Sequence, residues 1–258
     1  ILRLLFIPKK ENVLVPEGQR PLGLPTTLSR IISGITASTL HRAIGDRLHP
    51  SQSMIARNKE PQWNRECIQH ALDVGARLEE DQDTSLFAHK IMRGKRGLRF
   101  SAFADFSKAF ERVDPAFILK LLAAHRLPTW LYTVVQTLIL DRRATFTFGH
   151  HKGGTLYLQC GLDMGAGASP LLFVIALDPL LAVTARIHGI IEQKGYMDDL
   201  AATLRTIRAL GAFQQRVHNY AEASGLSVTY HRCRKHALKK PYKPKACTCS
   251  SKLRVVPS

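Results

Sequence analysis

The sequence predicts an α+β fold in which short strands and amphipathic helices alternate irregularly along 258 residues. Three observations support this fold class. Apolar side chains recur at helical spacing in several segments, others alternate at strand spacing, and turns rich in Gly or Pro separate the two kinds. The order mixes strands and helices and shows no internal repeat, which excludes a solenoid and favours an α+β domain.

The first quarter of the chain predicts two short strands and then helices. Residues 1–25 form an apolar strand, a turn at Pro16–Gly18 and a second short segment. Residues 65–80 again have helical spacing. Between these two segments, a helix is expected over residues 27–49, and Pro50 ends it. The apolar positions of this helix are Leu28, Ile31, Ile32, Ile35, Leu40, Ile44 and Leu48.

The central region predicts a buried strand, four helices and two hairpins. Residues 98–105 alternate in polarity and end at Asp105. Gly153-Gly154 predicts the turn of a hairpin between residues 143–149 and 154–160. A second hairpin has its tip near Asp198-Asp199. The helices are expected from Asp114-Pro115 to about His125, from Thr129 to Leu140, from Ser169 to His188 with Ser169 as N-cap and Pro170 in first position, and over residues 206–224.

Charge indicates a polyanionic partner. Lys and Arg total 37 against 20 Asp and Glu, a net charge of +17. Such an excess is typical of proteins that bind nucleic acid, although a structural RNA-binding protein or a basic solvated surface would also show it. Hydrophobic residues make up 45%, enough for a substantial core, which excludes a disordered chain. Residues 231–258 are rich in Lys, Arg and Pro and are expected to form a flexible basic tail.

The cysteines indicate a reducing compartment and no disulfide framework. The five cysteines are irregularly spaced. Cys247 and Cys249 lie near His231 and His236, but the CxC spacing is not the CxxC that is usual in zinc sites, so metal binding there is not favoured. No apolar run reaches the ~18 residues that a membrane helix needs. Because the chain begins with Ile, it is expected to be a piece of a longer polypeptide.

Two acidic segments are suited to divalent metal ions. Asp105 ends an apolar strand, and Asp198 and Asp199 are adjacent at a hairpin tip. Adjacent carboxylates repel each other, so a nearby cation would explain why both are present. Mg²⁺ takes carboxylate oxygens and keeps water and substrate phosphates as its other ligands. Taken singly, these residues are usually a solvated turn and a strand-end cap. It is their combination that indicates two-metal chemistry.

Five segments in order resemble the blocks of reverse transcriptases from non-LTR retrotransposons and group II introns. The segments are RPLGLPTTLSRI (Arg20–Ile31), DFSKAFERVD (Asp105–Asp114), GLDMGAGASPLLFVIALDPLL (Gly161–Leu181), GYMDD (Gly195–Asp199) and SGLSVTYHR (Ser224–Arg232). The resemblance implies a right-hand polymerase with fingers and palm, an antiparallel palm sheet packed on helices, and a thumb that is absent or truncated. The fingers would cover residues 1–97, the palm 98–230 and the tail 231–258.

The resemblance also implies roles for individual residues. Asp105 and Asp198 would ligate two Mg²⁺ ions, for which Mn²⁺ could substitute, and Asp199 would be a less direct carboxylate. Phe106 would offer its backbone at the second metal. Phe110 would exclude a 2′-hydroxyl and so select deoxynucleotides, although a plain core Phe is the alternative. The remaining nucleotide contacts would come from Arg20, Arg30, Met164 and Gly165. For the two arginines, the alternative is an ordinary arginine on the surface of a helix.

Several positions depart from the family pattern, and these leave the metal carboxylates intact. Met164 replaces the usual Gln, Gly167 replaces Pro, and Asp163 stands where a basic or polar residue is common. Arg232 replaces a Lys that would protonate pyrophosphate, and Arg is a poorer proton donor. The other departures are Glu111 for Asp and Thr229 for Asn.

The resulting prediction is an RNA-directed DNA polymerase of a retroelement, which adds nucleotides to a primer 3′-hydroxyl. Its partners would be an RNA template, a DNA primer, their RNA/DNA hybrid and dNTPs, with no membrane. The alternative is a catalytically impaired remnant that binds nucleic acid, which the departures favour. A basic RNA-binding protein unrelated to polymerases would leave the five ordered blocks as coincidence. The sequence does not choose between nucleus and cytoplasm.

Overall fold

The computed structural model describes residues 2–8, 19–52, 98–148 and 151–237. The strands are β1 Leu2–Pro8, β2 Gln19–Leu24, β3 Leu98–Phe106, β4 Arg142–Phe148, β5 His151–Leu158, β6 Ile190–Tyr196, β7 Asp199–Leu204 and β8 Val228–Ala237. The helices are α1 Thr27–Ile44, α2 Ala109–Arg112, α3 Pro115–Ala124, α4 Thr129–Ile139, α5 Ser169–Ala185 and α6 Ile207–Ser224, with a 3₁₀ turn at Gly45–Arg47. The predicted α+β class is confirmed.

The chain divides into two compact units. The first comprises residues 1–48, 108–176 and 223–226, and the second comprises 49–107, 177–222 and 227–258. Each unit contains one four-stranded sheet. Both units are built from segments that are far apart along the chain.

The first sheet has the strand order β2-β1-β4-β5. Strand β1 pairs antiparallel with β2 and parallel with β4, while β4 and β5 form a hairpin. Its inner face buries Leu2, Leu4 and Ala144, with Leu158 packed against them. Gly153 and Gly154, predicted to form the turn, lie instead inside β5. That prediction was wrong because the ladder shifts register there, between the pairs Thr145–Thr155 and Thr147–Lys152, and glycines also suit such a bulge.

Helix α1 begins as the sequence predicted, but of its predicted apolar face only the C-terminal part, Leu40 and Ile44, is buried. The Thr26 hydroxyl caps it by accepting from the Ser29 N–H at 3.3 Å. Its buried residues are Ser33, Thr36, Leu40 and Ile44. The apolar residues of its first two turns are exposed, namely Leu28, Ile31, Ile32 and Ile35. Ser33 is buried because its hydroxyl accepts from the Ala168 N–H at 2.8 Å.

The second sheet is antiparallel throughout, with the order β6-β7-β3-β8. Strand β3 is central, and its alternation buries Phe100, Ala102, Ala104 and Phe106. Phe106 meets Tyr220 of α6 edge to face, with ring centroids 6.3 Å apart. The sheet therefore packs on a helix, as expected for the palm.

The remaining boundaries differ from the sequence predictions in small ways. Helix α5 begins at Ser169 itself, not at Pro170, and ends at Ala185. Residues 231–237, expected in the basic tail, pair with β3 as the distal half of β8. The predicted turn at Pro16–Gly18, the helix over 65–80 and the Cys247–Cys249 pair lie outside the described residues. Within the described ranges, no helix is both long and apolar enough to cross a membrane.

Candidate active site

Two neighbouring strands of the second sheet bring acidic residues to one end. Asp105 lies directly opposite Asp199 in the β3–β7 ladder. Residues opposite each other in an antiparallel ladder point to the same face. Alternation in β3 buries the even-numbered residues from Phe100 to Phe106 and so places Asp105 on the other face. Asp105 and Asp198 are partly exposed and Asp199 is exposed.

The β6–β7 hairpin carries Asp198 at its tip. Tyr196 and Asp199 form the last pair of the ladder, so Met197 and Asp198 make a two-residue connection. Met197 has a φ of 51°, in the left-handed region that non-Gly side chains rarely adopt. A residue held in this region is strained, and such strain concentrates at functional sites. The predicted hairpin tip at the two aspartates is confirmed.

The outer edge of β6 is held by the chain next to it. The Gly195 N–H donates to the Ser51 carbonyl at 2.8 Å, and Gln52 forms a parallel bridge with Gly195. A Cβ at Gly195 would lie 3.4 Å from the Gln52 amide nitrogen and 3.5 Å from Leu181. These are ordinary van der Waals distances, so the backbone bond to Ser51, and not the absence of a side chain at Gly195, holds this edge two residues before Met197. The Gln52 side chain is buried, and neither of its amide atoms has a hydrogen-bond partner among the described residues.

The other side of β3 is fixed by β8. Asp105 lies opposite Thr229, and the Ser107 N–H donates to the Ser227 carbonyl at 2.8 Å. The ladder shifts by one residue between the pairs Phe103–Arg232 and Ala104–Tyr230. Bulges of this kind are over-represented next to active sites. The strand that carries Asp105 is thus paired on both sides, which limits how far its backbone can move.

This carboxylate arrangement fits divalent metal ions. Among the described residues, no group of three or more His, Cys, Asp or Glu side chains is placed as a ready metal site. Mg²⁺ does not need one, because it is held by one or two carboxylates together with water and substrate phosphates. The donor set at the end of β3 and β7 is made of carboxylate oxygens, the ligands that this ion prefers. Phe106 follows Asp105 with its ring buried, so its contribution at a metal would come from the backbone.

Other predicted nucleotide contacts lie in the first unit. Phe110, in α2, is half-buried and stacks on Phe173 with ring centroids 4.9 Å apart. Arg30 is exposed in the first turn of α1, where its N–H donates to the Thr26 carbonyl. Arg20 lies in β2 opposite Ile7. The contacts of Phe110 leave both its core role and its sugar-excluding role open, and the latter stays a prediction.

A buried arginine that sequence reasoning missed anchors the segment before Met164. The Arg142 guanidinium forms a salt bridge with Asp163. It also donates to the carbonyls of Cys160 and Gly161, each at 2.7 Å, and to that of Ile139 at 3.1 Å. The two charged side chains are 8% and 14% exposed, so the pair is largely shielded from water. Burial raises the pKa of the Asp163 carboxyl although Arg142 opposes the shift.

Three glycines let this segment approach neighbouring backbone. Gly161 has a φ of 81°, and a Cβ there would lie 2.6 Å from the Glu111 carbonyl oxygen. A Cβ at Gly165 would lie 2.1 Å from the Gly23 carbonyl oxygen, and one at Gly167 would lie 3.2 Å from the Gly34 Cα. Gly167 departs from the family's usual Pro, and its close approach to α1 gives that departure a structural reason.

The same segment lines a cavity of about 400 Å³ in the first unit. Met164, Glu111 and Tyr157 contribute to its wall. The Leu162 N–H donates to the Phe110 carbonyl at 2.5 Å, and the Gly161 N–H donates to that of Val113 at 2.9 Å. Met164 and Phe110 therefore belong to two segments that hydrogen bonds join directly. The sequence feature that could have indicated this arrangement is Asp163, an acidic residue where the family commonly has a basic or polar one.

Comparison with known proteins identifies relatives over almost the whole chain. The family model described as "Reverse transcriptase (RNA-dependent DNA polymerase)" matches residues 7–246. The Retrovirus-related Pol polyprotein from type-2 retrotransposable element R2DM of Drosophila melanogaster is 24% identical over 239 residues, which are 90% of this chain and 21% of that protein. The Transposon TX1 uncharacterized 149 kDa protein of Xenopus laevis is 21% identical over 236 residues, 88% of this chain and 17% of that protein.

Solved structures share the fold. Telomerase from Candida albicans, in complex with a fragment of telomeric RNA, has a TM-score of 0.58 at 11% identity and covers 93% of this chain and 42% of its own. Apo telomerase from Candida tropicalis has a TM-score of 0.51 at 12% identity, with 92% and 44% covered. The fold is thus that of reverse transcriptase fingers and palm. The chain spans 21% and 17% of the length of the two retrotransposon relatives.

Proposed function

This chain belongs to the reverse transcriptase (RNA-dependent DNA polymerase) family, and we propose that it copies an RNA template by adding deoxynucleotides to a primer 3′-hydroxyl. Asp105 and Asp198 would hold two Mg²⁺ ions, with Asp199 as a supporting carboxylate. The observation that carries this proposal is the β3–β7 register, which sets Asp105 opposite Asp199 beside the hairpin tip. The retrotransposon relatives support a retroelement as its source.

The carboxylates would provide a rigid, negatively charged platform. When bound, the metal ions would activate the primer 3′-oxygen and stabilise negative charge on the leaving pyrophosphate. Pairing of β3 with strands on both sides limits the movement of Asp105. The left-handed backbone at Met197 forms the tight turn that would carry Asp198 to the metal ions. Catalysis in phosphoryl transfer depends largely on such positioning, because the protein itself contributes little covalent chemistry.

The nucleotide would be handled by residues of the first unit. Arg30 and Arg20 are suited to the triphosphate, because a guanidinium can make two parallel contacts to phosphate oxygens. Phe110 would exclude a ribose 2′-hydroxyl by its bulk. Met164 and Gly165 would contact the nucleotide from a segment that Arg142 and the Gly23 backbone hold in place.

The template–primer hybrid would be bound mainly through its phosphates. The net charge of +17 supports this mode, and it predicts affinity that falls steeply with salt. An RNA/DNA hybrid is A-like, so it would be recognised by backbone and shape, with base choice left to template pairing.

Primer extension on poly(rA)/oligo(dT), with Mg²⁺ or Mn²⁺, tests the proposal. Asp198→Asn keeps the size of the side chain and removes one ligand charge, so extension should fall at least about a hundredfold. Asp46→Asn is a matched control, because Asp46 is an exposed aspartate in the 3₁₀ turn of the first unit. Equal extension by both variants would contradict the assignment of Asp198.

The second candidate function is that of an impaired remnant that binds nucleic acid. The basic charge favours it, and so does Met164, which replaces a residue expected to handle the nucleotide. This function predicts hybrid binding without extension, by the wild type as well as by Asp198→Asn. Restoring Met164→Gln would then separate the two functions, because a gain of extension would place the defect in nucleotide handling and leave the carboxylate site competent.

A further inference from the structure

We propose that His49 and Asp178 are positioning residues for the polymerase site, because they hold the turn to which the hairpin carrying Asp198 is attached. This turn, residues 49–52, is the anchor turn. The proposal rests on the function proposed above for Asp198, and it adds two residues to which that function assigns no role.

The strand that leads to the hairpin tip lies at the edge of its sheet. Among the described strands, β6 is the outermost in the order β6-β7-β3-β8, so β7 pairs with one of its sides and the other side is the outer edge. Backbone groups on the outer edge of a sheet need partners from outside the sheet. Here the Gly195 N–H donates to the Ser51 carbonyl at 2.8 Å. Gly195 precedes Asp198 by three residues, so this bond restrains the strand just before the hairpin tip.

The anchor turn is a β-turn that its first side chain closes. The Gln52 N–H donates to the His49 carbonyl at 3.0 Å, and Pro50 takes the second position, where its fixed φ suits a turn. The Ser51 N–H donates to His49 Nδ1 at 3.2 Å. An asparagine side chain makes the same kind of contact in an Asx-turn, where it accepts from the backbone N–H two residues later. The His49 ring therefore orients Ser51, whose carbonyl accepts the bond from Gly195.

A helix of the core holds the anchor turn in place. The His49 N–H donates to Asp178 Oδ1 at 2.5 Å. Asp178 lies in α5, where Leu177 and Leu181 are both fully buried. Core packing thus fixes the helix that presents this carboxylate. Hydrogen bonds form a continuous path from Asp178 through the anchor turn to Gly195, and all of these residues belong to the second unit.

The surroundings of His49 keep its ring able to accept a hydrogen bond. Nδ1 can accept only in the neutral imidazole, because both ring nitrogens of the imidazolium carry a proton. Burial lowers the pKa of the His49 imidazole below its ordinary value, while the Asp178 carboxylate opposes this shift and the Lys194 ammonium adds to it. Lys194 itself is paired with Glu192 at 2.8 Å. The ring is therefore neutral near pH 7, as its contact with Ser51 requires.

A second attachment of β6 predicts that loss of the anchor turn acts locally. The Gln193 side chain donates to the Leu181 carbonyl and accepts from the Thr184 hydroxyl, both at 2.7 Å. This contact holds the middle of β6 to α5 independently of the anchor turn. Losing the anchor turn should therefore release the end of the strand at Gly195, with Asp198 beyond it, and leave the rest of β6 in place.

Hydrogen exchange of the complete 258-residue chain, without metal ions or nucleic acid, tests the attachment. His49→Leu removes the acceptor for the Ser51 N–H. Exchange in peptides that contain Gly195, followed by mass spectrometry, should become roughly three- to tenfold faster, as expected for the loss of one hydrogen bond. His49→Asn keeps an acceptor at that position and should exchange as the wild type does. His218→Leu is the matched control, because His218 is exposed on α6 and pairs with Glu222.

Asp178 is tested by the same logic. Asp178→Leu removes the acceptor for the His49 N–H and should also speed exchange at Gly195. Asp178→Asn keeps an oxygen that accepts this bond and should restore the wild-type exchange rate.

The Mg²⁺ dependence of primer extension separates positioning from a loss of folded protein. A misplaced Asp198 would bind metal more weakly. His49→Leu and Asp178→Leu should therefore raise the Mg²⁺ concentration for half-maximal extension about tenfold, the lower end of the loss seen when groups that orient a metal ligand are removed. Partial unfolding would instead lower extension at every Mg²⁺ concentration and leave the midpoint unchanged. Both Asn variants should keep the wild-type midpoint.

Three results would overturn the proposal. They are wild-type exchange at Gly195 in His49→Leu, the same Mg²⁺ midpoint for His49→Leu and His218→Leu, and losses in the Asn variants as large as those in the Leu variants. Absence of extension by the wild type would instead contradict the polymerase function. Exchange at Gly195 would then decide alone whether His49 and Asp178 hold the hairpin, because it requires neither metal ions nor activity.

Discussion

The two four-stranded sheets of this protein differ in where they place charge. The strands of the first sheet contain basic residues and no acidic ones. The second sheet sets Asp105 directly opposite Asp199, with Asp198 at the adjoining hairpin tip. Like charges directly opposite each other destabilise a sheet. The second sheet therefore brings like charges together at one end, as the proposed binding of cations there would require.

In the first unit, by contrast, a largely buried carboxylate is paired with a positive charge. Asp163 meets the buried guanidinium of Arg142 on the inner side of the sheet. That arginine also holds the backbone of residues 160–161. The Asp163 carboxylate therefore helps to hold the segment around residues 160–163 in place. One acidic region thus has a structural partner and the other is proposed to bind metal ions, and measuring activity and stability separately tests this difference.

The largest expected effect is on activity in the second sheet. Asp105→Asn should lower primer extension at least about a hundredfold, because it would remove a proposed ligand of the metal ions. It should change the free energy of unfolding by no more than about 1 kcal/mol, because Asp105 is partly exposed and Asn keeps the size of its side chain. Chemical denaturation alongside primer extension checks both results. A variant that loses activity because it unfolds would contradict this separation.

The next largest effect is on stability in the first unit. Arg142→Met leaves Asp163 buried without its counter-charge, so unfolding should become easier by about 3–5 kcal/mol. Arg143→Met changes the neighbouring arginine on the outer face, where a stability change within about 0.5 kcal/mol is expected. Urea denaturation of the two variants compares the two faces directly. Similar losses would mean that burial does not distinguish the two arginines.

A smaller effect is expected where glycine permits close backbone contact. Gly165→Ala would bring a methyl group against the Gly23 carbonyl, 2.1 Å away without relaxation. The resulting shift should cost about 1–3 kcal/mol of stability. Gly211→Ala is the matched control: Gly211 is an exposed residue of α6, where an added Cβ meets nothing within 4 Å. It should stabilise the protein by up to about 1 kcal/mol. If the two substitutions changed the free energy of unfolding by the same amount, the close contact at Gly165 would not affect stability.

Local patterns predicted the elements that carry the acidic residues, because strand alternation and turn chemistry are local signals. The strand ending near Asp105 and the hairpin at Asp198 are both present. The buried face of α1 was only partly predictable from its apolar residues, because Leu40 and Ile44 are buried whereas the apolar residues near its N-terminus are exposed. Ser33 is buried because it bonds to Ala168, a residue 135 positions away. Arg142 was missed for the same reason, since its partners are identified only once residues 160–163 fold back onto β4.

Glycine pairs and basic segments were ambiguous because one composition suits two structures. Gly153-Gly154 fits a turn as well as a bulge, and the register of the ladder decides for the bulge. Residues 231–237 are basic enough to suggest a solvated tail, but pairing with β3 makes them a strand. In both cases the missing information was the position of a partner strand.

The smallest expected effect concerns the pH dependence of the structural carboxylate. Burial raises the pKa of Asp163 in the folded protein above its unfolded value, although Arg142 opposes the shift. A raised pKa means that the folded state binds this proton more tightly than the unfolded state does. The contribution of Asp163 to stability is therefore fully present below its unfolded pKa and is lost as pH rises through its folded pKa.

Asp163→Asn isolates this contribution, because the other titrating groups are common to both proteins. The difference in free energy of unfolding between wild type and Asp163→Asn should shift in favour of the wild type as the pH falls from neutral to about 4. Denaturation at a series of pH values measures it, and Asp46→Asn provides the exposed control. A shift of the opposite sign would mean that the attraction of Arg142 outweighs burial. The inner carboxylate would then resemble an ordinary surface salt bridge, with stability lost in acid.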